Sequence, residues 1–236
     1  MFGFSKESRE ARQEKKEQEK MHNAFALGAQ GRLDEAKMAY GEIIQKLEQK
    51  VAKDPENALW RARLGHALAM LAKVFLRQML GLEKERNQQE RSQLHKQICQ
   101  LLEEAKAEYQ QAMLLDPKED RFFSHATDVR NTLGFVEVIQ GNRSRALEHF
   151  EGALRFGQKA LERQPQNPEA HFQEGNAFSM SSQVFVQEGQ AEKARQRMQK
   201  AISCFERAVG LSPRQDEYRH SLEDARKRLE RMEGTG

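Results

Sequence analysis

The feature that most constrains this fold is a residue pattern that occurs four times along the 236-residue chain. Each copy holds a small residue, then an alanine followed four positions later by an aromatic residue, and ends with a proline. The four sets are Ala24, Gly31, Ala36, Tyr40 and Pro55; Gly65, Ala105, Tyr109, Ala112 and Pro117; Gly134, Gly141, Ala146, Phe150, Ala153 and Pro165; and Gly175, Ala201, Phe205, Ala208 and Pro213. Such a pattern is typical of stacked supersecondary units and predicts an array of repeats.

A second order of repetition relates the two halves of this array. At a constant offset of 110, Ala24, Gly31, Ala36, Tyr40, Pro55, Gly65 and Leu68 are matched by Gly134, Gly141, Ala146, Phe150, Pro165, Gly175 and Phe178. The interval from Gly65 to Ala105 is fourteen residues longer than the interval from Gly175 to Ala201, which predicts a longer second hairpin. A surplus of whole heptads keeps the apolar seam of a helix facing its partner helix.

The composition favours helices over strands. Ala, Glu, Gln, Lys, Arg and Leu are abundant, whereas the chain has five prolines, one tryptophan and three tyrosines. No uninterrupted apolar stretch reaches the ~20 residues that cross a bilayer, so we expect no membrane span and a cytoplasmic location.

The repeated pattern resembles the tetratricopeptide repeat (TPR), in which two antiparallel helices and a turn carry the signature W-x2-L-G-x2-Y, A-x3-F and P. The resemblance lies in the segments AKAEYQQAMLLDP, RALEHFEGAL and AISCFERAVGLSP, and in RLGHAL, TLGF and AHFQEGNAF of the preceding helices. It implies an all-α fold, a right-handed superhelical stack of antiparallel helix pairs (a TPR-like α-solenoid) with a C-terminal capping helix. Gly65, Gly134 and Gly175 should then let paired helices approach, with Tyr109, Phe150 and Phe205 filling the space beside alanine.

The pattern also predicts where the chain divides. Residues 21–215 should hold four helix pairs, at about 21–55, 57–117, 120–165 and 168–213. Residues 1–20 alternate acids and bases and are expected to form a charged helical or frayed leader, in which Phe2 and Phe4 could anchor a partner. Residues 216–236 carry one apolar stripe on a charged helix and are predicted to form the capping helix and a short tail.

No catalytic motif accompanies the repeats. The seven histidines form no metal-ligand set, and the chain lacks H-E-x-x-H, C-x-x-C, a Gly-rich phosphate loop and G-x-S-x-G. We therefore predict a non-enzymatic protein without a cofactor or metal site. A pair formed only in three dimensions, such as His171 with Glu174, is left open.

The predicted function is that of a protein–protein interaction scaffold or adaptor. In TPR proteins the first helices of the pairs line a concave groove that accepts a peptide or a partner helix, and the resemblance transfers this role to His66, Met70, Asn131, Phe135, Phe172, Asn176 and Met180. The amides of Asn131 and Asn176 are expected to hydrogen-bond a peptide backbone. Some TPR proteins bind the carboxyl-terminal tails of chaperones through basic and amide residues on these faces. At two of those positions, on the first helix, this chain has Met21 and Phe25, which argues against a chaperone tail as the ligand.

Three alternatives remain. Val74, Leu76 and Leu80 lie off the seam of the long hairpin, so this hairpin surface either packs on the next helix pair or binds a partner. The same surface could instead drive self-association. A basic edge at Lys193, Arg195, Arg197 and Lys200 could bind nucleic acid or another polyanion, although no aromatic residue is interleaved there for base stacking and the net charge is only +3. Nucleic acid is therefore not the expected partner.

Overall fold

The structure, a computed structural model, describes residues 6–234, with side chains from Lys15 onward. Phe2 and Phe4 of the predicted leader lie outside the described residues. Every regular element between residues 6 and 234 is an α-helix. The helices are α1 (Lys6–Ala29), α2 (Leu33–Lys53), α3 (Ala58–Gly81), α4 (Gln88–Leu115), α5 (Asp120–Gln140), α6 (Arg143–Arg163), α7 (Pro168–Gln187), α8 (Ala191–Leu211) and α9 (Asp216–Glu233).

Helices that follow one another in sequence pack against each other, as in α1 with α2, α5 with α6 and α7 with α8. This arrangement confirms the predicted all-α fold of packed helix pairs. The chain forms two compact units, Met1–Glu108 and Tyr109–Gly236, and the boundary between them in sequence falls within α4. None of the helices in the described part of the chain is both long and apolar enough to span a membrane.

The first unit contains the long hairpin of α3 and α4. Compared with α7 and α8, which have 20 and 21 residues, α3 has 24 and α4 has 28. The turn between them is held by the Arg91 guanidinium, which donates to the carbonyl oxygens of Met79 at 2.6 Å and Leu82 at 2.9 Å. The fourteen extra residues thus fall as four in α3, seven in α4 and the remainder in the turn.

The apolar residues off the hairpin seam are mostly packed inside the unit. Val74 and Leu76 are buried, and only Leu80 is exposed, with 51% of its surface accessible. A Cβ added at Gly28 would lie 3.6 Å from Val74 Cγ2, which shows that α1 lies close to this part of α3. The sequence predicts a hairpin surface formed by Val74, Leu76 and Leu80. Of these three side chains only Leu80 is accessible to a partner, because Val74 and Leu76 are buried inside the unit.

In the second unit, two glycines allow close helix packing. A Cβ added at Gly134 would lie 2.4 Å from Phe150 Cε1, and one at Gly175 would lie 2.5 Å from Phe205 Cε1. Both distances are far inside the ~3.5 Å of carbon–carbon contact, so the aromatic rings occupy the space that a side chain would need. This is the small-to-large packing that the sequence predicts.

Helix α9 closes the end of the second unit. Its residues Tyr218, Leu222 and Ala225 are buried in one cluster with Phe172 and Phe205. The rest of α9 is largely exposed and charged. These contacts confirm the predicted capping helix.

Candidate functional site

A cleft in the first unit lies between α1, α2 and α3 and has a volume of about 550 Å³. We call it the N-terminal cleft. Its apolar lining consists of Met21, Phe25, Tyr40, Ile43, Leu47 and Met70. Phe25 is exposed to 53% although it is a large apolar side chain, and His66 and Met70 line the wall from α3. The cleft is of the size that takes several side chains of a bound segment.

Charged residues also line the N-terminal cleft, and most of them are basic. Three are cations, Lys20, Lys46 and Arg63, and one is an anion, Glu17. Glu17 is already engaged, because it accepts a hydrogen bond from Lys50 and lies 3.6 Å from Arg63 Nη1. Among the described residues that line the cleft, lysine and arginine thus outnumber acidic residues.

The charges of Lys20 on α1 and Lys46 on α2 are close enough to affect each other. The hydrogen-bonding contact with Lys46, together with the positive charge of Lys46, lowers the pKa of Lys20. Two adjacent ammonium groups repel each other, and this repulsion disfavours the charged form of Lys20. An anion placed between Lys20 and Lys46 would offset this repulsion.

Tyr40 is the one described residue of this cleft that is fully buried and carries an unsatisfied hydroxyl. It has no accessible surface, and its Oη has no hydrogen-bond partner among the described residues. Burial raises the pKa of Tyr40 to about 12, so the phenol is neutral and keeps its proton. Sequence reasoning placed Tyr40 among the repeat's packing residues and did not identify it as a cleft residue.

A second cleft, of about 250 Å³, lies in the second unit. We call it the C-terminal cleft. Helices α5, α7 and α8 contribute Phe135, Asn176, Ser179, Met180, Gln183 and Phe205 to its lining. Helix α9 adds Ser221, Asp224 and Arg228, of which Arg228 forms an ion pair with Asp224 at 2.6 Å. Ser221, Asp224 and Arg228 are spaced i, i+3, i+7, which places them on one face of α9. The sequence analysis treated α9 only as a cap and did not predict that this face lines a cleft.

The structure separates the predicted groove residues into two groups. His66 and Met70 line the N-terminal cleft, and Phe135, Asn176 and Met180 line the C-terminal cleft. Asn131 and Phe172 do not line either cleft.

Asn131 and Phe172 have structural contacts instead of an exposed face. Asn131 is buried, and its Nδ2 donates to the backbone oxygen of Gln173 at 2.8 Å, which ties α5 to α7. Phe172 is also buried, with its ring centroid 4.6 Å from that of Tyr218 on α9. Burial against neighbouring helices thus keeps both side chains away from the surface of the two clefts.

The predicted basic edge is partly neutralised by contacts within the second unit. Arg197 pairs with Glu151 at 2.5 Å, and Arg195 pairs with Glu192 at 3.0 Å. Lys200 lies 5.6 Å from the ring centroid of Phe178, and Lys193 lies 5.7 Å from that of Phe185. These contacts leave less free positive charge than the sequence suggests.

His171 and Glu174, which the sequence analysis left open as a pair formed in three dimensions, contact different groups in the structure. His171 Nε2 lies 3.0 Å from the Pro165 carbonyl oxygen, whereas Glu174 Oε2 accepts from the Cys204 thiol at 3.8 Å. Burial raises the pKa of Glu174. Burial and the nearby Glu174 carboxylate raise the pKa of Cys204 to about 12, so this thiol is protonated near neutral pH and is a poor nucleophile.

Comparison with known proteins adds one local match. The family model described as the plant-specific mitochondrial import receptor subunit TOM20 matches residues 168–232, which is less than half of the chain and comprises α7, α8 and nearly all of α9. No curated protein matches the chain.

Several solved structures have a similar fold at low sequence identity. TTC0263, a thermophilic TPR protein in Thermus thermophilus, is 16% identical over 89% of this chain and 98% of its own, with a TM-score of 0.42. The MamA RS-1 ArsTM double mutant and MamA 41-end from Desulfovibrio magneticus RS-1 are each 14% identical over 93% of this chain and 96% of theirs, with TM-scores of 0.40. At TM-scores below 0.5 these likenesses carry no conclusion about function.

Proposed function

We propose that this chain is a non-enzymatic scaffold that binds a segment of a partner protein, with an apolar side chain of that segment seated in the N-terminal cleft. The observation that carries this proposal is the exposure of Phe25 at a cleft of about 550 Å³ whose wall includes Met21 and Met70. Large apolar side chains grouped at a concave surface are typical of peptide recognition. Methionine adapts its shape to different partners.

The C-terminal cleft is the second surface that supports a scaffold. The stretch that matches a family of import receptor subunits, residues 168–232, holds three of the helices that line this cleft. A receptor subunit recognises other proteins, so the match favours protein binding over catalysis. Its smaller volume, about 250 Å³, makes it a secondary contact in this proposal.

The proposal can be tested with peptides and matched variants. A phage-displayed library of 12-residue peptides is panned against the full chain, and selected peptides are measured by fluorescence anisotropy. We expect Phe25→Ala to weaken binding about tenfold or more, the effect of losing one apolar anchor. Met38→Ala and Leu80→Ala remove similarly exposed apolar side chains elsewhere and should leave the affinity within about twofold. Failure to select any peptide, or equal binding by the Phe25→Ala variant, contradicts the proposal.

The cytoplasmic location inferred from the sequence stays a prediction. The matched family consists of mitochondrial import receptor subunits, so a mitochondrial location is the competing outcome. Imaging the chain with a fluorescent tag beside a mitochondrial marker decides between the two. Diffuse fluorescence outside the organelle is the result that the sequence predicts.

A further inference from the structure

We propose that the N-terminal cleft selects protein segments that combine a large apolar side chain with a nearby acidic residue, the acid binding between Lys20 and Lys46. This inference rests on the proposed function and names the chemistry of the segment that the cleft accepts. It stands on two independent observations, the charge of the rim and the unsatisfied hydroxyl of Tyr40.

The rim of the cleft carries more cations than anions. Lys20 on α1 and Lys46 on α2 come from different helices, and both line the cleft. Glu42 and Glu17 offset only part of the repulsion, and Glu17 is shared with Lys50 and Arg63. A carboxylate has two oxygens and can accept a hydrogen bond from each lysine. An acidic residue of a partner therefore suits the rim better than a neutral one, and a basic residue would be repelled.

The interior of the cleft offers a hydrogen-bond donor without an acceptor. Tyr40 is fully buried, lines the cleft, and has an Oη without a hydrogen-bond partner among the described residues. A buried hydroxyl without a partner is unfavourable, and most buried polar groups in proteins are satisfied. Because Tyr40 has no accessible surface in the free structure, a backbone carbonyl or a polar side chain of a seated segment would accept this proton after a small shift of the side chains that cover it. The free cleft is thus arranged for a ligand that carries polar groups beside its apolar side chain.

The rim is tested by removing single charges. A peptide selected by phage display is measured at about 150 mM salt, near physiological ionic strength, against wild type, Lys20→Gln, Lys46→Gln and the control Lys53→Gln. The control removes the same charge from an exposed part of α2 that does not line the cleft. Because exposed ion pairs contribute little, we expect each rim variant to weaken binding about two- to fivefold. The control should change the affinity less than about twofold. Replacing the acidic residue of the peptide by its amide should have the same effect as a rim variant.

The interior is tested with Tyr40→Phe, which keeps the ring and removes the hydroxyl. We expect this variant to bind the peptide about fivefold more weakly, the effect of one lost hydrogen bond. The free protein should unfold at the same temperature or higher, because the hydroxyl has no partner to lose among the described residues. Unchanged peptide affinity overturns the role of Tyr40, and a lowered unfolding temperature overturns the claim that its hydroxyl is unsatisfied.

Failure of this inference can be told apart from failure of the proposed function. If selected peptides bind through Phe25 but contain no excess of Asp or Glu, and the rim variants bind normally, the acidic preference is overturned while peptide binding stands. If no peptide is selected, both are overturned. Dodecanoate combines an alkyl chain with a carboxylate, and its binding without any selected peptide would assign the cleft to a fatty acid and overturn both proposals.

Discussion

At the scale of single residues, the glycines of α5 and α7 decide how closely paired helices approach. The rings of Phe150 and Phe205 are buried and lie where the side chains of Gly134 and Gly175 would be. A glycine costs a helix about 1 kcal/mol relative to alanine, so its presence here is explained by packing. The same residue type is found at Gly41 in α2, where an added Cβ would meet nothing within 4 Å.

This contrast predicts opposite effects of the same substitution. Gly175→Ala should destabilise the chain by about 1–3 kcal/mol, because Phe205 must move to admit a methyl group. Gly41→Ala should stabilise it by about 0.5–1 kcal/mol, because the helix gains propensity without a clash. Urea unfolding followed by circular dichroism measures both. Stabilisation by Gly175→Ala would show that the Phe205 ring has room to move.

At the scale of helices, Asn57 and Asn167 are the N-caps of two equivalent helices, α3 and α7. Asn57 and Asn167 are related by the offset of 110, and each side chain accepts a hydrogen bond from a backbone N–H of the first turn, at 3.1 Å for α3 and 3.0 Å for α7. Asn167 is the more buried, and its Nδ2 also donates to Asp120 Oδ2 at 2.6 Å. The duplicated sequence position thus has a shared capping role and, in the second unit, an added bond between helices.

We therefore expect the two caps to differ in their contribution to stability. Asn57→Ala should lower the free energy of unfolding by about 1 kcal/mol, which is the usual cost of losing a cap. Asn167→Ala should lower it by about 2–3 kcal/mol, because the cap and a partly buried hydrogen bond to a carboxylate are lost together. Equal losses in urea titrations would mean that the bond to Asp120 contributes nothing.

At the scale of the whole molecule, charge determines which partners the chain attracts over a distance. The 39 basic and 36 acidic residues leave a formal charge of +3, and two of the four cations of the basic edge on α8, Arg197 and Arg195, are paired with Glu151 and Glu192. Affinity for nucleic acid depends on the number of phosphates neutralised. A chain with so little unpaired positive charge should bind duplex DNA weakly.

The corresponding prediction concerns a short DNA duplex of arbitrary sequence. At about 150 mM salt we expect a Kd weaker than about 100 µM, at the weak end of non-specific binding. Fluorescence anisotropy at several salt concentrations measures it. Micromolar binding that weakens steeply with salt, and that is lost in Lys193→Glu, would restore the basic edge as a binding surface.

The sequence by itself determined the fold of this protein. The positions of small and aromatic residues predicted the close packing at Gly134 and Gly175, because a helix approaches its partner only where the side chain is small. The apolar stripe of Tyr218, Leu222 and Ala225 predicted the cap, because an array must cover its last apolar surface. Local periodicity carries this information, and periodicity is visible in one dimension.

The tertiary structure alone decided which side chains remain available for binding. Asn131 and Phe172 share a helical face with partly exposed groove residues, yet the bond to Gln173 and the ring of Tyr218 bury them. Tyr40 belongs to the packing pattern, yet it lines a cleft with an unsatisfied hydroxyl. Periodicity states which face of a helix is turned inward, whereas exposure and hydrogen bonding depend on residues far away in sequence.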